Sequence, residues 1–184
     1  MKLIEITEDK YDVNIELLYA KSNNFTGNKI YLKSKCYLHE DALQKLLSAI
    51  FLAKALGYKF KIYDTFRPKE AQEILWNFYP NKNFITPPHI GSPHSRGIAI
   101  DLTLMKNDKI LDMGTSFDHL YKESYHGNTD VSTTAQKNRI ILLGIMTTSG
   151  WDFYKNEWWH YQLHNSKQWP LISDKESQTN IMVK

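Results

Sequence analysis

Seven residues, Ile98 to Leu104, leave the chain little conformational choice. Ile98, Ile100, Leu102 and Leu104 alternate with Ala99, Asp101 and Thr103, and a period of two marks a β-strand, whose successive side chains point to opposite faces. Such a strand buries one aliphatic face and presents Asp101 on the other. Asp101 is thereby positioned rather than incidental. His94 stands seven residues earlier in the segment GSPHSRGIAIDLTL, near enough for a short loop and the strand to bring the two together.

Other periodicities supply the frame. From about Glu40 to Leu56, apolar residues at Leu43, Leu46, Leu47, Ile50, Phe51 and Leu56 describe a helical stripe that Gly57 closes as a C′ residue. Lys59 to Thr65 (KFKIYDT) reads as a strand with Phe60 and Ile62 on one face. Pro68 suits the first turn of a helix carrying Ile74, Leu75 and Phe78, so Arg67 falls between a strand and a helix. Thr133 and Gln136 have capping-box spacing ahead of a helix that contains Ile140, Leu143 and Met146 and ends near Gly150. Two short strands follow, Trp151 to Tyr154 and Trp158 to Leu163, joined by a turn around Lys155 and Asn156. The 184 residues, free of repeats and linkers, suit one ordinary domain spanning 1–184. The sum is an α+β fold, with helices placed before and packed on a small, mainly antiparallel sheet that carries the polar cluster.

Composition excludes several partners. Lys and Arg outnumber Asp and Glu by 23 to 20 and are scattered, so no electrostatic footprint for nucleic acid stands out. No run approaches the roughly 20 apolar residues of a membrane span, and Glu5, Glu8 and Asp9 interrupt the apolar core that a signal peptide needs. The lone Cys36 allows no internal disulfide and reads as a small buried hydrophobe in a reducing compartment. A soluble, cytoplasmic protein without membrane or nucleic-acid partners is expected.

The chemistry-bearing residues fall in two segments, SPHSRGIAID and EWWH, which contribute His94, Asp101, Glu157 and His160. Two histidines and one carboxylate are a common catalytic zinc shell that leaves a fourth position open for water or substrate. The remaining carboxylate is then free to move protons. Asp101, on the polar face of its strand, is the better ligand. Glu157 and His160, three apart, would point to opposite faces of a regular strand, so Glu157 is expected to project from the turn before the strand begins.

The SxHxxGxAxD pattern, followed about 60 residues later by ExxH within EWWHY, resembles the D-alanyl-D-alanine dipeptidases of the vancomycin-resistance type. YAKSNNFTG, YDTFRP, DMGTSFD, NRIILLGIM and the closing IMVK stand in that family's order. The resemblance implies an α+β enzyme of peptidoglycan metabolism with one zinc ion per chain, acting on the small dipeptide D-Ala-D-Ala. It assigns the metal to His94, Asp101 and His160 and the catalytic base to Glu157. It also assigns stabilisation of the tetrahedral oxyanion to Arg67, which Asp64 orients through a paired hydrogen bond. Asp118, Tyr19 and Ser92, with Asp64, form the implied substrate-binding group, Asp118 and Tyr19 at the ammonium end.

Two departures bear on substrate choice. Pro93 replaces the serine that often precedes the first ligand, removing a hydroxyl or backbone donor, and the stretch from Pro80 to Ile90 is shorter than in the best-known members. A zinc carboxypeptidase acting on longer peptidoglycan peptides would use the same metal set, as would a non-catalytic module that binds zinc or wall peptides. His39, His89, His119, His126 and His164 are expected to be structural or surface residues, and Trp158 and Trp159 to pack in the core.

Overall fold

In the computed structural model, residues 2–182 are described; Val183 and Lys184 of the closing IMVK segment lie outside the described residues. Strands and helices interleave along the chain. Strands β1 (Leu3–Ile6), β2 (Asn14–Ile15) and β3 (Cys36–His39) come first, with the single-turn helix α1 (Glu8–Tyr11) between β1 and β2. Helix α2 (Glu40–Ala55), β4 (Lys59–Asp64) and α3 (Lys69–Phe78) follow. Next come β5 (Ala99–Lys106), β6 (Lys109–Ile110), α4 (Thr133–Thr148), β7 (Asp152–Phe153), β8 (His160–Gln162) and α5 (Asp174–Ser177).

β1 and β3 form a two-stranded antiparallel ribbon. The main sheet runs β2-β4-β5-β8-β7, with β6 folded back on β5. Only the β2–β4 pair is parallel, so the sheet is mainly antiparallel as expected. The helices are not gathered ahead of it, however: α4 intervenes between β6 and β7, and three short strands precede α2. Sheet and helices share one buried apolar cluster among the described residues.

β5 is the spine of this arrangement, because Ile100, Leu102 and Leu104 are fully buried and it pairs with β4, β6 and β8. Its second face, which carries Asp101 as expected, is buried too: Ala99, Asp101 and Thr103 are all enclosed. A strand buried on both faces must satisfy any charge it carries within the protein.

Helix positions follow the sequence closely, but their buried faces differ from the expected stripes. α2 turns Ala42, Leu43, Leu46, Ala49 and Ala53 inward and leaves Leu47, Phe51 and Leu56 exposed. Small alanines let the helix approach the sheet closely, so the packed face is rotated from the one that the larger side chains suggest. Ile74, Phe78 and Ile140 are likewise exposed; α3 packs through Ala71, Gln72 and Leu75. Thr133 does not cap α4. Ser132 does, accepting from the Ala135 N–H, while Gln136 donates to the Val131 carbonyl, so no capping box forms. β7 and β8 span only two and three residues, because the chain between them is drawn into the turn that carries Glu157. Among the described residues, no helix is long and apolar enough to cross a membrane.

Candidate active site

Three adjacent strands bring polar residues to one level of the sheet. The register aligns Asp64 of β4 with Asp101 of β5, and Asp101 with His160 of β8. A register shift between Ile62 and Asp64 puts Asp64 in that row; irregularities of this kind re-aim side chains beside active sites. His94 arrives from a short 3-10 turn, His94–Arg96, just ahead of β5. Gly97 ends that turn at φ +70, a left-handed backbone that strains any other residue, and an added Cβ would also have to displace the tip of Leu3, whose Cδ2 would lie 2.6 Å away. The Gly97 carbonyl accepts from the His39 N–H at 2.7 Å, tying the turn to the end of β3.

The three expected ligands converge. His94 Nε2 lies 3.1 Å from His160 Nδ1 and 3.3 Å from Asp101 Oδ1, and His160 Nδ1 lies 3.0 Å from the same oxygen. The outer ring nitrogens are engaged elsewhere. His94 Nδ1 is 2.6 Å from the Thr65 carbonyl, which only accepts, so this nitrogen carries the proton and Nε2 directs its lone pair inward. His160 Nε2 is 3.1 Å from Gln162 Oε1, which holds that ring in the matching sense. Donor atoms 3.0–3.3 Å apart are close to the spacing of ligands that share one tetrahedral ion at about 2.0–2.1 Å. The donor set therefore fits a divalent cation, and it is the one such cluster found among the described residues.

The surrounding charges are arranged around this trio. Burial works to raise the Asp101 carboxyl, but His94 and His160 outweigh it and hold the group well below the usual carboxylate range. Burial works to lower His160, yet its hydrogen bond to Asp101 carries it upward. Glu157 projects from the β7–β8 turn, as expected, with Oε2 3.9 Å from His160 Nδ1. It is buried, and that burial pushes its carboxyl up to about 8, His160 opposing and Asp101 adding to the rise.

Arg67 leaves the end of β4 and is pinned on several sides. Its Nε and Nη2 donate to Asp64 Oδ2 at 2.9 and 2.8 Å, Nη1 donates to Gln72 Oε1 at 3.0 Å, and the guanidinium lies over the Tyr19 ring at 5.0 Å. Asp64 Oδ1 in turn accepts from the Tyr31 hydroxyl at 2.8 Å. Asp64 is fully buried behind Arg67 and is not part of the cavity wall, so its place is behind the substrate-binding group with which it was expected to stand. Arg67 Nη2 also comes within 3.6 Å of Asp101 Oδ2.

Asp118 adopts a left-handed backbone at φ +60, which Asp tolerates better than most residues. Its Oδ1 accepts from the Tyr19 hydroxyl at 3.0 Å; its Oδ2 is buried with no hydrogen-bond partner. Burial, with Asp101 nearby, raises its carboxyl well above the ordinary value. Ser92 faces the same cavity and also accepts from the His94 N–H at 3.2 Å. The cavity measures about 250 Å³, below the ~300–1,000 Å³ of pockets for drug-sized ligands.

Sequence reasoning missed Thr65, Gln72, Gln162 and Tyr31. Gln162 was within reach, since it stands two residues from His160 and so shares its strand face. Thr65 acts through its carbonyl, which no side-chain pattern reveals. Trp158 and Trp159 are buried as expected, although Trp159 also forms part of the cavity wall, and Cys36 is buried.

The D-Ala-D-Ala dipeptidase family profile matches residues 1–179. The chain is 40% identical over 177 residues to the D-alanyl-D-alanine dipeptidase of Escherichia coli, covering 96% of this chain and 92% of that relative. It is 32% identical to the D-alanyl-D-alanine dipeptidase of Enterococcus faecium, covering 87% of this chain and 90% of the relative, and 32% identical to that of Enterococcus faecalis, covering 86% and 89%. With the profile spanning nearly every residue and these relatives matched over most of their length, the chain belongs to the D-Ala-D-Ala dipeptidase family of peptidases.

Proposed function

We propose that this protein hydrolyses the free dipeptide D-Ala-D-Ala to two D-alanines, with one zinc ion held by His94, Asp101 and His160. The observation that carries the reading is the convergence of three donor atoms, with the two histidine rings each engaged at the outer nitrogen, next to a buried carboxyl, Glu157, that is not part of the trio. A bound zinc ion supplies Lewis acidity, which makes water nucleophilic at neutral pH and polarises a carbonyl.

The chain's own residues divide the remaining work. Water adds to the scissile carbonyl carbon while Glu157 takes its proton, and the same carboxyl delivers that proton to the leaving amine as the C–N bond breaks. Burial favours the protonated form of this carboxyl, which suits delivery of the proton to the leaving amine, and a cation held by the trio would favour the ionised form that takes the proton from water. Arg67, held rigidly by Asp64 and Gln72, places a permanent cation where negative charge grows on the carbonyl oxygen. Asp118 Oδ2, buried without a partner, is matched by the substrate ammonium, and Tyr19 aligns it. Ser92 lines the same wall. The partnerless Asp118 oxygen favours a free amino group close to the scissile bond, and hence a dipeptide over a longer peptide.

The test is release of D-alanine from D-Ala-D-Ala by the zinc-loaded protein, beside a chelated sample and Glu157→Ala. Turnover that both controls lose is expected. A zinc-bound protein that leaves D-Ala-D-Ala intact but trims longer D-alanine-terminated peptides would overturn the dipeptide assignment while keeping the chemistry.

A further inference from the structure

A dipeptide is a zwitterion, and only its ammonium end has so far found a partner. The cavity is lined by two permanent cations, Arg67 and Lys82. Arg67 is already committed, its charge matched by Asp64 Oδ2 through two N–H groups. Lys82 forms no salt bridge among the described residues. Pro93, on the same cavity wall, offers neither a hydroxyl nor a backbone N–H to a carboxylate.

Lys82 is carried by a loop that is anchored and not free to swing. The carbonyl of the next residue, Asn83, accepts from the Tyr154 hydroxyl at 2.9 Å and from Asn156 Nδ2 at 3.0 Å. Both donors sit on the turn that carries Glu157. Two residues further on, Ile85 is buried, and the Thr86 carbonyl accepts from Gln72 Nε2 at 2.8 Å. Gln72 is the residue that also receives Arg67 Nη1. The loop is thus fastened at one end to the turn bearing the candidate base and at the other to the clamp of Arg67. Its one unpaired cation is left at the cavity.

From this placement we infer that Lys82 binds the substrate's C-terminal carboxylate and so sets the preference for a free dipeptide acid. The inference rests on the dipeptidase reading above. It makes Lys82 a specificity residue, acting on substrate capture and not on bond cleavage. A flexible ammonium at the rim of a cavity suits this task, because it follows a small carboxylate without demanding one geometry.

The experiment compares D-Ala-D-Ala with its C-terminal amide, D-alanyl-D-alaninamide, on wild type, Lys82→Ala and Lys82→Arg, with circular dichroism to confirm that each variant is folded. The wild type should prefer the acid over the amide by about tenfold or more in kcat/KM, as expected for one charge-assisted contact. Lys82→Ala should lose that preference through a raised KM for the acid, with kcat and the amide kinetics little changed. Lys82→Arg should retain most of it. Equal loss on acid and amide, or no change on either, would overturn the assignment of Lys82 and leave the dipeptidase reading intact. A wild-type protein that cleaves neither compound would overturn the dipeptidase reading, and the role of Lys82 with it.

Discussion

In the proposed reaction Glu157 is the group whose loss is felt only in turnover. Glu157→Gln keeps the size of the side chain and removes its capacity to take a proton, so kcat should fall by roughly 10²–10⁴. Metal content, read by elemental analysis, should be unchanged, because Glu157 stands 3.9 Å from His160 Nδ1 and outside the donor trio. Retained turnover would remove it as the base. Gln162 should show the converse pattern. It holds the outer nitrogen of His160, and replacing it with Leu should weaken metal affinity by about 10–100-fold, measurable by competition with a chromogenic chelator. Asp64→Ala should act through the fold. Stripping a buried guanidinium of its partner typically costs about 3–5 kcal/mol, visible in urea unfolding, whereas an exposed Asp would cost almost nothing.

At the scale of elements, the cap of α4 provides a clean comparison. Ser132→Ala should destabilise the protein by about 1 kcal/mol, since the serine oxygen accepts from the Ala135 N–H, and Thr133→Ala should be nearly silent. The reverse result in thermal melts would restore the frame that the sequence suggested. That frame was wrong by one residue because Ser132 and Thr133 are both good caps and Gln136 stands at the right distance from the second; only the backbone decides. The same limit applies to packing faces. Helix positions are legible from the 3.6-residue period, but α2 turns three alanines inward and leaves Phe51 outside, since the sheet rewards close approach over side-chain size. The strand of Ile98 to Leu104 was plain from its alternation. That Asp64, Asp101 and His160 share one row was not legible, because it depends on a register shift in β4 and on pairing between strands far apart in sequence. The identities of His94, Asp101, Glu157 and His160 stood out because their chemistry is rare in combination; the groups that orient them are ordinary carbonyls and amides.

For the whole molecule, stability should depend on metal and on pH. An ion that binds the folded chain alone stabilises it by RT ln(1 + [L]/Kd), about 4 kcal/mol at a thousandfold excess over Kd. Chelation should therefore lower the melting temperature by several degrees in calorimetry. An unchanged melting temperature would mean that the site holds no ion tightly. The pH response involves His126, whose burial lowers its imidazole to about 4, with Arg139 adding to the effect. The unfolded chain takes up this proton first as pH falls below about 6.5. Stability is thus fully present above pH 6.5 and is lost as pH drops toward 4, by up to about 1.4 kcal/mol per pH unit. His126→Phe should flatten that part of the profile in urea melts at pH 7, 6 and 5; an unaltered slope would mean that other groups cause it.

The row formed by Asp64, Asp101 and His160 also sets a timetable during synthesis. β8 joins the sheet beside β5, yet it is made some sixty residues later. Chains grow from the N-terminus at about 5–20 residues per second, so a nascent chain displays His94 and Asp101 for several seconds before their third companion leaves the ribosome. An ion that needs all three donors has nowhere complete to settle until β8 has been made. A chain cut short before β8 would therefore lack the third donor of the trio.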